Sequence, residues 1–240
     1  DTPLGECRHK HGGNPAGLRP DCAAERFTMF KIIYAEQRRP ELSFTQFVRR
    51  WRRHAGLAMQ DAPFWDPMAL YIQNDALRGI AGTDQRYDGV GELLYPDMAA
   101  IEASLASPGM GPIFADGDEF FARVDQIHLV VDQRHLRVGH PGAFKVFVFA
   151  RAAQGAARAD FVDRWTDRVE TLLDGNGAFA RLAQEVTIGS AMADHDLYDR
   201  VADASFDSLA DARLGCADWL AAMAPDHLIA NSVAIAARAP

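Results

Sequence analysis

Between Phe30 and Ala35 the chain is aromatic and β-branched, broken only by Lys31, which predicts a buried strand. The pattern then changes period. Phe44, Phe47, Val48, Trp51 and Ala55 recur three and four residues apart, an apolar stripe that predicts a helix packed on a sheet, with Ser43 or Thr45 as its cap. Further along, strands are expected near Ala69 to Asn74, over Gly89 to Tyr95 and over Val124 to Val131. Between the last two fall a helix over Asp97 to Ala106 and a short helical piece near Phe114 to Ala122. The order is β-α-β-β-α-β, the ferredoxin-like unit, in which an antiparallel sheet carries its helices on one face.

The pattern then repeats. An offset of 114 positions lays Phe30-Lys31 on Phe144-Lys145, and Phe47-Val48, Arg50 and Trp51 on Phe161-Val162, Arg164 and Trp165. At an offset of 111, Tyr87-Asp88, Val90 and Tyr95 meet Tyr198-Asp199, Val201 and Phe206. Two blocks in the same order imply duplication. The expected fold is therefore α+β: two ferredoxin-like units, residues 29–136 and 141–240, packed sheet to sheet as an intramolecular dimeric α/β barrel, with Pro141-Gly142 as linker punctuation. Residues 1–28 show no helical or strand period and are expected to be an irregular extension, with Met29 a plausible natural start.

Composition narrows the function. The chain has 240 residues with a net charge of −8, so a phosphate backbone would be repelled and nucleic acid is not an expected partner. The basic cluster Arg49, Arg50, Arg52 and Arg53 reads as a solvated helix face. No apolar run approaches the roughly 20 residues that span a bilayer, so no membrane partner is expected either. Three cysteines, Cys7, Cys22 and Cys216, cannot all pair within one chain, which fits a cytoplasmic setting. Cys7, His9, His11 and Cys22 match no standard zinc spacing, and neither a metal nor a cofactor is expected.

The stretch Phe47-Val48-Arg49-Arg50-Trp51-Arg52-Arg53-His54-Ala55 resembles the helix motif F-x-x-x-W-R-x-x-H-A of EthD proteins. Tyr71-Ile72-Gln73-Asn74 resembles that family's second strand, and Tyr87-Asp88-Gly89-Val90 with Glu92 its third. The second unit keeps Phe161 and Trp165 but carries Arg168 where His54 would fall. The resemblance implies a barrel that binds small, often aromatic or polyketide-like molecules, with relatives linked to cofactor-free lyase, dehydratase, cyclase or oxygenase steps. It constrains the fold more than the reaction.

Strand alternation sorts the candidate chemistry. In the last strand of the first unit Ile127, Leu129 and Val131 make one apolar face, assigned to the helices, and leave Gln126, His128 and Val130 on the other. Continued around the sheet, this gathers Lys31, Tyr71, Gln73, Asp88, Glu92, Gln126 and His128 on one face, expected to line the barrel interior. On that reading His128, His54 and Glu92 are the catalytic candidates, and Tyr71, Lys31, Gln73, Asp88 and Gln126 bind substrate. Lys31 could equally pair with Asp88 or Glu92 as a structural salt bridge, because the second unit repeats the lysine as Lys145. Two functions follow: an enzyme moving protons on a hydrophobic oxygenated small molecule, as a lyase, dehydratase or decarboxylase, or a binding or stress protein that sequesters one. A cofactor-free monooxygenase is a third, and a homodimer a further option.

Overall fold

The structure is a computed structural model that describes residues 29–192, 198–223 and 229–239; the expected extension 1–28 lies outside them. Its elements in chain order are β1 (Met29–Glu36), α1 (Phe44–Ala58), α2 (Ala62–Trp65), β2 (Leu70–Ala76), β3 (Gly89–Tyr95), α3 (Met98–Leu105), α4 (Met110–Asp118) and β4 (Ile127–Arg137). The second half follows with β5 (Phe144–Ala152), α5 (Arg158–Asp174), α6 (Ala178–Leu182), β6 (Val186–Ala191), β7 (Arg200–Phe206), α7 (Leu209–Ala222) and β8 (Ile229–Arg238). The β-α-β-β-α-β order holds in both halves, with α2, α4 and α6 as additional short helices.

All eight strands close one antiparallel barrel in the order β1-β3-β2-β8-β5-β7-β6-β4. The halves meet at two seams. Six residue pairs join β4 to β6, from Val131 with Ala191 to Arg137 with Val186, whereas only Asp75 with Arg238 and Ala76 with Ala237 join β2 to β8. Closure buries the sheet face that an isolated unit would leave to water. Ile33, Val90, Leu129, Phe147, Val201 and Ile235 from both halves share that inner core.

The helices pack outside the barrel. Helix α1 starts where Ser43 accepts a hydrogen bond from the Gln46 N–H while the Gln46 side chain accepts one from the Ser43 N–H, a reciprocal cap. Its apolar stripe buries Phe47, Trp51 and Ala58, as the sequence spacing requires. Among the described residues no helix is long and apolar enough to cross a membrane.

The face assignment needs correction. Ile127, Leu129 and Val131 point into the barrel, not toward the helices, so Gln126, His128 and Val130 lie on the helix side. In β2 likewise Tyr71 faces the helices. In a closed barrel covered by helices both sheet faces are buried, so an apolar stripe does not reveal which way it points.

Candidate active site

Between the outer face of the first half's sheet and its helices lies a cavity of about 450 Å³, within the usual size range of small-molecule sites. Ile32, Phe64, Leu93, Ile113 and Phe121 give it apolar walls, and Tyr34, Glu36, His54, Tyr71, Gln126 and His128 bring polar groups to it. Strand β1 supplies Tyr34 and Glu36, and antiparallel pairing sets Tyr34 directly opposite His128 on β4. On its other side Tyr34 pairs with Gly91, where a Cβ would stand 2.1 Å from the tyrosine ring. Gly91 is thus the space that the ring occupies.

Two tyrosines form the centre of a hydrogen-bond chain. The Tyr34 and Tyr71 hydroxyls lie 2.7 Å apart, Gln73 Nε2 donates to the Tyr71 hydroxyl at 2.9 Å, and Trp51 Nε1 reaches the Tyr34 hydroxyl at 3.4 Å. Gln73 is fixed in turn by its bond to the Trp51 carbonyl at 2.9 Å and by Arg52, which donates to its Oε1 at 3.0 Å. Two hydroxyl protons are present and only one can lie between the two oxygens. The other can be donated to an oxygen in the cavity. Burial pushes both phenols up, so they are neutral donors at physiological pH.

His54 sits near the end of α1 with its Nδ1 2.8 Å from Asp116 Oδ2, and Arg50 holds the same carboxylate. Burial favours a protonated Asp116, but Arg50 and His54 outweigh it and keep the carboxylate ionised. Nδ1 therefore carries the proton that Asp116 accepts. Burial lowers the His54 pKa despite Asp116, so the ring is neutral near pH 7 and its Nε2 is the basic nitrogen. His128 stands in the exposed part of the cavity lining, its ring edge-on to Tyr34 at 6.3 Å.

The sequence-derived candidates thus divide into three groups. His54, Tyr71, Gln126 and His128 line the cavity, and Gln73 supports it from behind. Glu92 and Lys31 do not belong to it. They lie inside the barrel, where Glu92 meets Lys31 at 3.1 Å and Lys145 at 2.7 Å, and Lys31 meets Asp203 at 2.7 Å. Burial would raise the Glu92 pKa, but Lys145 and Lys31 outweigh it and hold the carboxyl down at about 2. A carboxylate that acidic and enclosed has no proton to give, and Glu92 joins a structural ion network with the lysines in place of the expected catalytic role. Asp88 is elsewhere again, buried at the entrance to β3 and held by the guanidinium groups of Arg38 and Arg78.

Tyr34, Glu36 and Asp116 were not anticipated. Tyr34 lies on the helix-facing side of β1, a side from which strand alternation draws no candidates. Glu36 is the last residue of β1, one position beyond the expected end of that strand and next to the polar run Gln37-Arg38-Arg39. Asp116 lies on α4, with no sequence periodicity to link it to His54.

Comparison with known proteins places this geometry. The EthD domain family matches residues 39–123, which span α1, the Tyr71 strand and α4. No curated protein matches the chain. Solved structures do. An anthrone oxidase-like protein aligns at 9% identity and a TM-score of 0.57, covering 90% of this chain and 92% of its own. A candidate monooxygenase from Fusobacterium nucleatum aligns at 9% identity and 0.57, with 88% and 92% covered. A candidate chlorite dismutase aligns at 8% identity and 0.55, with 89% and 95% covered. At these identities the likeness establishes the single-chain barrel and not the chemistry.

Proposed function

We propose, from the EthD domain match over residues 39–123 and the single-chain α/β barrel, that the protein is an enzyme of the lyase or dehydratase type. Its substrate is a hydrophobic, oxygenated small molecule held in the first unit's cavity of about 450 Å³.

 The observation that carries this reading is the Tyr34–Tyr71 hydroxyl pair, with one proton between the two oxygens and one left for a ligand. A spare neutral donor beside apolar walls suits a carbonyl oxygen whose charge grows as a neighbouring C–H is broken. His54 supports the other half of the step. With Nδ1 committed to Asp116, its Nε2 can accept a proton from that carbon, as a buried neutral imidazole of fixed tautomer does in general base catalysis. His128, in the exposed part of the lining, is placed to relay protons between cavity and solvent. The chain's own side chains thus supply the donors and acceptors that a proton-transfer reaction needs.

The test is a turnover comparison on substrates drawn from aromatic and polyketide-like hydroxy-carbonyl compounds. His54→Ala and Tyr71→Phe should each lower kcat/KM by about tenfold to a hundredfold or more, the range expected for a lost acid–base group. Tight binding of such compounds with no turnover, in wild type and variants alike, would instead identify a binding protein that sequesters them.

A further inference from the structure

The cavity holds a second ionisable group that the histidine and tyrosine chemistry leaves unused. Glu36 is only 4% exposed and lines the cavity, and its two oxygens differ. Oε1 accepts a hydrogen bond from Gln126 Nε2 at 2.5 Å and lies 3.5 Å from Arg123. Oε2 is buried with no hydrogen-bond partner among the described residues. A buried carboxyl oxygen left unpaired is costly unless something else satisfies it, and Glu36 is one of the residues that line the cavity.

The turn that reaches Glu36 is itself strained. Arg123 and Asp125 are the two non-glycine residues with positive φ among the described residues, at 57° and 47°, in the left-handed region that side chains disfavour. Arg123 is held there by Asp118 at 2.8 Å and by the face of Phe121, and the same turn leads directly into Gln126. The backbone thus keeps a strained shape that directs one cation and one amide at a single oxygen of Glu36.

We infer that Glu36 is the proton donor of this cavity, delivering its proton through Oε2 to a hydroxyl or carbonyl oxygen of the bound molecule. The inference rests on the proposed function and adds to it an acid for the departing oxygen. In a dehydration, His54 Nε2 takes the proton from the carbon beside the carbonyl, and the C–H electron pair forms the new C=C bond. The β-hydroxyl leaves with its bonding pair, takes the Glu36 proton and departs as water. Glu36 is then a carboxylate and His54 an imidazolium, and transfer of one proton from His54 to Glu36, through solvent, restores both. The substrate class is therefore a neutral β-hydroxy carbonyl compound with an apolar ring system. Burial pushes the Glu36 carboxyl up to about 7, opposed by Gln126 and Arg123 and assisted by Asp118, so the acid form is populated at and below neutrality. The other titratable and charged groups around the cavity are Tyr34 from β1, His54 from α1, Tyr71 from β2, Asp118 from α4, Arg123 from the following turn and His128 from β4.

The test measures affinities of the full chain for two probes between pH 5.5 and 8.5: 1-naphthol, neutral throughout, and 1-naphthoate, ionised throughout. A protonated Glu36 donates to the naphthoate oxygen and an ionised one repels it. In wild type the ratio of naphthoate Kd to naphthol Kd should rise about tenfold per pH unit above 7. In Glu36→Gln, which cannot ionise, the ratio should lose that rise, and His128→Gln should keep it. A flat ratio in wild type, or the same rise in Glu36→Gln, which would assign it to a histidine, overturns the proposal. Leu105→Trp, at the partly exposed cavity wall, separates the two levels of the reading: it should weaken both probes. Binding that ignores Leu105→Trp, or no binding of either probe to wild type, would overturn the cavity as the site and the role of Glu36 with it.

Discussion

The two halves of this barrel have kept their inner faces alike and let their outer faces diverge. Inside, Lys31 and Lys145 occupy equivalent positions, as do Glu92 and Asp203, and the pairs cross between halves: Lys31 with Asp203 and Lys145 with Glu92. Each carboxylate also receives a side chain from its own half, Asn74 on Glu92 at 2.9 Å and Thr187 on Asp203 at 2.6 Å. Outside, the equivalents of Tyr34, Glu36 and Gly91 are Val148, Ala150 and Ala202, and Val148 pairs with Ala202 in the same register as Tyr34 with Gly91. Val148 and Ala150 are fully buried in one apolar cluster with Phe161, Trp165, Phe179 and Trp219. The difference teaches where a duplicated barrel is free to change. A substitution on the inner face is felt by both halves, whereas each outer face packs mainly against its own helices.

The sharpest way to break that picture is to unbalance the interior. Glu92→Gln leaves two buried lysines facing one carboxylate, and should cost about 3–5 kcal/mol, as removal of one partner from a buried pair does. Asp203→Asn should cost less, because Asp203 bridges Lys31 whereas Glu92 bridges both lysines. Denaturant unfolding of both variants measures this, and a larger loss in Asp203→Asn would show that the network leans on the second half instead. The pH dependence has a definite sign. The Glu92 carboxyl falls from its ordinary 4.5 to about 2 in the folded chain, so its contribution is complete above pH 4.5 and is lost as pH falls through about 2. Wild type should therefore lose more stability than Glu92→Gln on acidification across that window.

The outer faces are compared at Gly91. Gly91→Ala places a Cβ where the Tyr34 ring lies and should cost about 1–3 kcal/mol, the usual effect of overpacking. The double change Gly91→Ala with Tyr34→Val recreates the Val148–Ala202 arrangement of the second half. It should recover much of that loss in thermal unfolding while weakening 1-naphthol binding. An additive double mutant would mean that the ring and the glycine do not constrain each other.

How much of this was legible follows the same division. The repeat, the barrel and the α1 stripe could be read because hydrophobic period and self-similarity are local properties of the chain. The orientation of the faces could not, since Ile127, Leu129 and Val131 look equally suited to a barrel interior and to a helix layer. Lys31 and Glu92 pair with each other at 3.1 Å, but their closer partners, Asp203 and Lys145, lie in the other half, so from sequence they read as candidate chemistry. Glu36 was hidden for the opposite reason: as a charged residue at a strand end it reads as solvent-facing, and only the turn at Arg123–Gln126 and the helix layer bury it.

The smallest effect concerns the two tryptophans that the duplication aligned. Trp51 and Trp165 are both fully buried on equivalent helix faces, but Trp51 Nε1 reaches the Tyr34 hydroxyl, whereas Trp165 Nε1 has no partner among the described residues. The reason is visible in the strand beneath: Val148 stands where Tyr34 does in the first half and offers no oxygen. Replacing each tryptophan by phenylalanine removes similar volume at both sites, so the packing losses should largely cancel in the comparison. What remains is the indole N–H. Its loss sacrifices a hydrogen bond at Trp51 and relieves an unsatisfied donor at Trp165. Trp51→Phe should therefore be the more destabilising change by about 1 kcal/mol, the net worth of one hydrogen bond, as read from denaturant midpoints at unchanged slope. Equal losses would mean that the Trp51–Tyr34 contact contributes nothing, and that the tyrosine pair is held by Gln73 alone.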